Sequence, residues 1–199
     1  MRLFGSVAIG ALAALALLHL CEGVAALKSA SAISDGDNDA SSVSGLRTTI
    51  AVLATLVGAV ATISFFFWLR RSIRNAQKLS VVRQRYDNGW AVGGWFVPVL
   101  MLWRPKQVMN DLWQGSGVTS RSILDWWWTA YFIAIYLAFP VADAVQSHAS
   151  NPNGHRTGYR TEAFADLTVF IAAALGVWVI YRLTEAQSRV VEPTAPAAD

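Results

Sequence analysis

The sequence predicts an all-α, polytopic membrane protein with four transmembrane helices, a short cytoplasmic-side re-entrant segment and an interfacial amphipathic helix. Three observations carry that expectation. Only 15% of the 199 residues are charged, against 54% hydrophobic, whereas a soluble domain averages about 25% charged residues. The apolar residues fall into four blocks, Leu3–Leu27, Thr48–Leu69, Ile123–Val145 and Phe164–Leu183. Each runs for about 20 residues or more, enough at 1.5 Å per residue to cross a hydrocarbon core of about 30 Å. With the N-terminus inside, only Lys28, Arg47, Arg156 and Arg160 of the 16 Lys and Arg fall outside. The other 12 are cytoplasmic, so the positive-inside rule orients the chain with both termini in the cytoplasm of a plasma-membrane protein. Ser41 and Asn153 are then outside, and Gln84, Ser120 and Pro193 inside.

The first span, 3–27, carries the single cysteine, Cys21, which excludes an intrachain disulfide. Leu18-His19-Leu20 lacks the small residue that lipoprotein cleavage needs directly before a cysteine. Ala30-Ser31-Ala32 resembles a signal-peptidase site, but the apolar run is long for a signal h-region, so the helix is expected to be retained. Lys28–Gly45 reads as a flexible outer loop. Its Asp35-Gly-Asp37-Asn-Asp39 run imitates the start of an EF-hand. Ala40 and Leu46 stand where Gly and a bidentate Glu would be required, so a solvated acidic loop is expected in place of a calcium site.

The second span, 48–69, has Ala54, Gly58 and Thr62 at four-residue spacing, as the first has Ser6, Gly10 and Ala14. Small residues so placed let helices approach closely in lipid. Arg70, Arg71, Arg74 and Lys78 follow as a basic cytoplasmic cluster. Arg70, Arg74 and Lys78 share one face, so the helix is expected to continue past the membrane. Trp90-Ala-Val-Gly-Gly-Trp-Phe-Val-Pro-Val-Leu-Met-Leu-Trp103 is only about 21 Å long as a helix, and Gly93, Gly94 and Pro98 break it. Such backbone survives at membrane depth only under protein or water cover, which makes 90–103 re-entrant or interfacial. Pro105 opens and Gly115 closes an amphipathic helix, 105–114, with Val108, Met109, Leu112 and Trp113 on one face. The third and fourth spans, 123–145 and 164–183, place Trp126, Trp127, Trp128, Trp178 and Tyr181 at their cytoplasmic ends, as an aromatic belt requires. One membrane domain therefore covers 1–189, with a disordered Pro/Ala-rich tail over 190–199.

Gly89-Trp90-Ala-Val-Gly-Gly-Trp95-Phe-Val-Pro98, then Leu102-Trp103-Arg104-Pro105-Lys-Gln107-Val108 and Asp111-Leu-Trp113, resembles the signature of the domain of unknown function 4328 family. The likeness extends loosely over 52–185, with Met101 and Lys106 departing from the usual pattern. The resemblance implies a bacterial membrane protein, and it implies no activity, substrate or cofactor.

Intramembrane ionisable residues are candidates for function. His19, Glu22, Asp143 and Asp166 qualify, but helix-rise arithmetic sets them near the outer headgroups, where water reaches them. With His148 and His155 they form no ligand motif, so no metal site and no cofactor are expected. No nucleophile has a base at motif spacing and no phosphate-binding loop is present, so an enzyme is not expected. The basic residues hug the membrane, which favours anionic lipid headgroups over nucleic acid. Two functions remain. One is a structural or accessory protein that binds lipid headgroups, a membrane-protein partner or a second copy through Trp90, Trp95, Pro98, Trp103, Arg104, Pro105 and Trp113. In that reading Arg104, bent by the following proline, points away from both flanking helices. The other is a small transporter or channel whose path is lined by Gly93–Pro98.

Overall fold

The computed structural model describes residues 2–35, 40–79, 85–118 and 122–191. Their regular elements are all helical, with no strand among them: α1 (Arg2–Asp35), α2 (Ala40–Leu79), α3 (Asn88–Gly93), a 3-10 turn (Leu100–Leu102), α4 (Arg104–Gly115), α5 (Ser122–Ile133), a π-helical turn (Ala134–Ala138), α6 (Phe139–Ser147) and α7 (Pro152–Val191). Four stretches are long and apolar enough to cross a membrane: Leu3–Ile33, Gly45–Lys78, Ser122–Ser147 and Pro152–Arg189.

Four boundaries differ from the sequence expectation. Helix α1 runs through Asp35 and α2 starts at Ala40, so most of the loop expected over 28–45 is helical. The Ser and Ala residues there extend the helix: Ala is the best helix former, and Ser29 and Ser31 return their hydroxyls to the carbonyls of Ala25 and Lys28. Helix α7 begins at Pro152, twelve residues before the expected span. Asn151 Oδ1 accepts from Gly154 N at 2.8 Å, an N-cap followed by proline in the first turn. At its other end α7 includes Val190 and Val191, where a disordered tail was expected; 192–199, with Pro193, lies outside the described residues. So do Gly36–Asp39 of the EF-hand-like run, Arg83, Gln84, Ser120 and Arg121. As expected, α2 carries its basic face beyond the apolar block, to Leu79.

Pro140 sits inside the third span and lacks the N–H that an α-helix would use there. The π turn over Ala134–Ala138 immediately precedes it, so α5 and α6 continue as one path with a local change of pitch.

Helices α1 and α7 pack antiparallel along their length. Near one end a Cβ on Gly5 would stand 3.1 Å from Thr184 Oγ1, and near the other a Cβ on Gly23 would stand 3.3 Å from Asp166 Cβ and 3.4 Å from the Ala163 carbonyl. Both glycines allow the close approach. The core concentrates at the Gly5–Thr184 end, where Trp68, Met109, Leu112, Trp113, Leu124 and Leu183 are buried together. Trp68 donates its indole N–H to Thr184 Oγ1 at 3.0 Å, and Gln187 Nε2 donates to Ser116 Oγ at 3.1 Å and to the Ser72 carbonyl at 3.3 Å. These bonds tie α2, α4 and α7 together. Outside, Leu17, Leu56, Ile63, Phe164 and Leu167 are exposed, an apolar surface that hydrocarbon solvates and water does not.

Candidate functional site

The aromatic module is built from α3 and α4 and the turns between them. Asp87 caps α3 by accepting from Trp90 N at 3.0 Å. The helix ends at Gly94, where a Cβ would meet Arg104 Cβ at 3.1 Å and the Trp90 carbonyl at 3.2 Å. A side chain at Gly94 would press α4 away from α3. The chain then turns through Pro98 and the 3-10 segment, and breaks at Trp103, whose backbone has φ −137° and ψ −31°.

This corrects the expectation for Arg104. The break before Pro105 falls one residue earlier, and Arg104 is the first residue of α4. A proline in the first helical turn costs no intrahelical hydrogen bond, which lets α4 begin there. The Arg104 guanidinium lies over the rings of Tyr86, at 4.9 Å, and Trp90, at 5.0 Å, instead of pointing away from both helices. Tyr86 is itself held by its hydroxyl, which donates to Gln107 Oε1 at 2.7 Å. Arg104 has no carboxylate partner among the described residues. Its neighbours do: Arg85 faces Asp111 at 3.5 Å and Lys106 bonds Asp125 at 2.6 Å.

The seven residues expected to form a binding surface separate by burial. Trp90 (53% exposed), Trp103 (43%) and Pro98 lie open, whereas Trp95 and Arg104 are partly covered. Pro105 and Trp113 are buried, Trp113 completely, so these two serve packing. The apolar face of α4 that the sequence set in the headgroup plane, Val108, Met109, Leu112 and Trp113, is turned into the protein core. Of the basic cluster, Arg70, Arg74 and Lys78 are exposed with no ion pair among the described residues, while Arg71 lies over Phe4 at 5.7 Å.

Trp95 reaches inward. Its ring meets Phe65, Phe66, Trp128 and Tyr131 edge-on, with centroids 5.3–6.2 Å apart, favourable geometry for aromatic pairs. Beside it lies a cavity of about 240 Å³, lined by Leu12, Phe65, Trp127, Tyr131, Ala134 and Gly176 among others. Its lining contains no charged residue. Sequence reasoning missed this cavity, because its walls come from every long helix and no local spacing announces it.

The ionisable residues expected near water behave differently from one another. Asp143 is exposed, but Asp166 is only 2% exposed. His19 and Glu22 converge on it from α1, whereas no such convergence includes His148 or His155 among the described residues.

Fold and module together define an all-helical protein with four helices able to cross a membrane and an interrupted aromatic segment between the second and third. The chain belongs to the family of the domain of unknown function DUF4328, whose family model matches residues 29–185. No curated protein and no solved structure matches it.

Proposed function

We propose that this protein is a non-enzymatic structural or accessory component of the plasma membrane, with both termini cytoplasmic, that binds anionic lipid headgroups through the face around Arg104. The observation that carries the reading is the state of Arg104: a guanidinium stacked on two rings with no acid to neutralise it among the described residues. Stacking orders the side chain while leaving its N–H edge to donate, the arrangement that suits a phosphate. Exposed Arg70, Arg74 and Lys78 add positive charge on α2, worth about 1 kcal/mol each beside an anionic leaflet. Exposed Trp90 and Trp103 favour the interface. Gly94 packs on Arg104 and the next residue, Trp95, lines the apolar cavity, so an acyl chain could lodge behind a headgroup bound at Arg104. The uncharged lining fits hydrocarbon better than an ion path, which ranks a transporter or channel second.

Arg104→Ala should lower retention of phosphatidylglycerol in native mass spectrometry about tenfold, the scale of one lost charged hydrogen bond at ~1.5 kcal/mol. Thermal stability should change little, since a half-exposed cation–π contact contributes only about 0.5–1 kcal/mol. Unchanged retention per folded molecule, with a clearly lower melting temperature, would make Arg104 a packing residue and refute the proposal. Capture of a polypeptide or a second copy in place of lipid would likewise count against it.

A further inference from the structure

We infer that His19, Glu22 and Asp166 form a binding site for a first-row divalent transition-metal ion at the α1–α7 junction. His19 and Glu22 are three residues apart, on one face of α1. Asp166 comes from α7, 147 residues along the chain from His19, which is why no sequence spacing reveals the group. His19 Nδ1 stands 2.9 Å from Asp166 Oδ1 and 3.0 Å from Glu22 Oε2. One donor atom from each residue lies within 4.8 Å of the others. Metal–ligand bonds of about 2.0–2.1 Å separate adjacent donors by about 2.8–3.4 Å in octahedral or tetrahedral geometry, so little movement is needed to admit an ion.

A further observation favours a cation over a self-contained hydrogen-bonded cluster. Asp166 is buried, and its second oxygen, Oδ2, has no hydrogen-bond partner among the described residues. A buried carboxylate oxygen left in that state is costly unless something positive reaches it. With both carboxylates ionised, a proton on the imidazole would leave a net charge of −1 and a divalent ion would leave none. Arg47, which meets α7 one turn away, is already committed to Glu162 at 2.5 Å and lies over the ring of Tyr159.

The surroundings suit such a site. Gly23 lets the two helices close, since a side chain there would press on Asp166 and on the Ala163 carbonyl. The imidazole ring meets Phe139 edge-on at 6.1 Å, which restrains its rotation. His19 and Glu22 side chains keep 13% and 14% exposure, against 3% for Asp166. One imidazole and two carboxylates form a mixed nitrogen and oxygen set, suited to zinc, manganese or iron and less to calcium or magnesium. Three protein ligands leave a coordination position open.

The test uses the full chain in detergent, stripped with chelator and titrated with Zn2+ alone by calorimetry. One ion should bind per chain, and His19→Ala or Asp166→Asn should weaken binding at least about tenfold, the least that loss of even a supporting group costs a metal site. Glu22→Gln is nearly isosteric and less buried, so it keeps the test decisive should either of the others fail to fold; it should weaken binding as well. His148→Ala and His155→Ala should change nothing. No saturable binding by the wild-type chain would overturn the inference. So would binding that survives Glu22→Gln, or that is lost with His148 or His155.

Discussion

Replacing Trp113 by Ala is expected to destabilise the protein by about 3–5 kcal/mol, the range for removing a large aromatic side chain from a packed core. Its side chain is completely buried, among Trp68, Met109, Leu112 and Leu183. The cavity left behind would lie where α2, α4 and α7 meet, a junction already pinned by the Gln187 hydrogen bonds to Ser116 and Ser72, so it could not collapse freely. Trp90→Ala provides the contrast. That residue is 53% exposed, and its loss should cost about 1 kcal/mol or less, mainly the stacking of Arg104. Thermal unfolding in detergent separates them: Trp113→Ala should melt far below the wild type and Trp90→Ala close to it. Similar melting temperatures would mean that the aromatic module does not pack as described.

Gly94→Val should be the second most damaging change. A Cβ at Gly94 would meet Arg104 Cβ at 3.1 Å and the Trp90 carbonyl at 3.2 Å. The carbonyl is backbone and cannot step aside without opening α3. Overpacking of this kind costs about 1–3 kcal/mol, and here it also separates Arg104 from the rings that order it. Lipid retention should therefore fall with stability. Gly93→Ala is the control, since its Cβ would find only Trp90 Cε3, at 4.0 Å. Limited proteolysis across 85–118 should be accelerated by Gly94→Val and unaffected by Gly93→Ala. Equal sensitivity in the two variants would show that α3 and α4 are not in contact at Gly94.

How far residues could be read depended on whether the deciding interaction was local. The four apolar blocks were legible because chain length and hydropathy fix a span on their own. The start of α4 was legible to within one residue, because proline favours the first helical turn. Helix ends were less so: the Ser and Ala residues after Leu27 read as loop until one sees their hydroxyls bonded back to the helix, and Asn151-Pro152 was passed over as an N-cap. Arg104 departs from the extended geometry expected before a proline because a proline in the first turn of a helix costs no hydrogen bond, and α4 begins one residue before it. Trp113 and the apolar face of α4 looked like membrane-facing surface, since periodicity identifies a buried stripe but not whether protein or lipid buries it. The convergence of His19, Glu22 and Asp166 and the cavity beside Trp95 were invisible for a simpler reason. Both are made by helices distant in sequence.

The functional reading depends on Arg104 facing the cytoplasm, and sided labelling tests that most directly. In a variant with Cys21 replaced, single cysteines at Asn153, Lys78, Trp103 and Arg189, all exposed positions, would be treated with a membrane-impermeant maleimide in intact cells and again after permeabilisation. The charge distribution predicts that Asn153→Cys reacts in intact cells, whereas Lys78→Cys, Trp103→Cys and Arg189→Cys react only once the membrane is opened. Labelling of Trp103→Cys in intact cells would put the Arg104 face outside and contradict the account. Labelling of Arg189→Cys there would put the C-terminal end outside and contradict it equally.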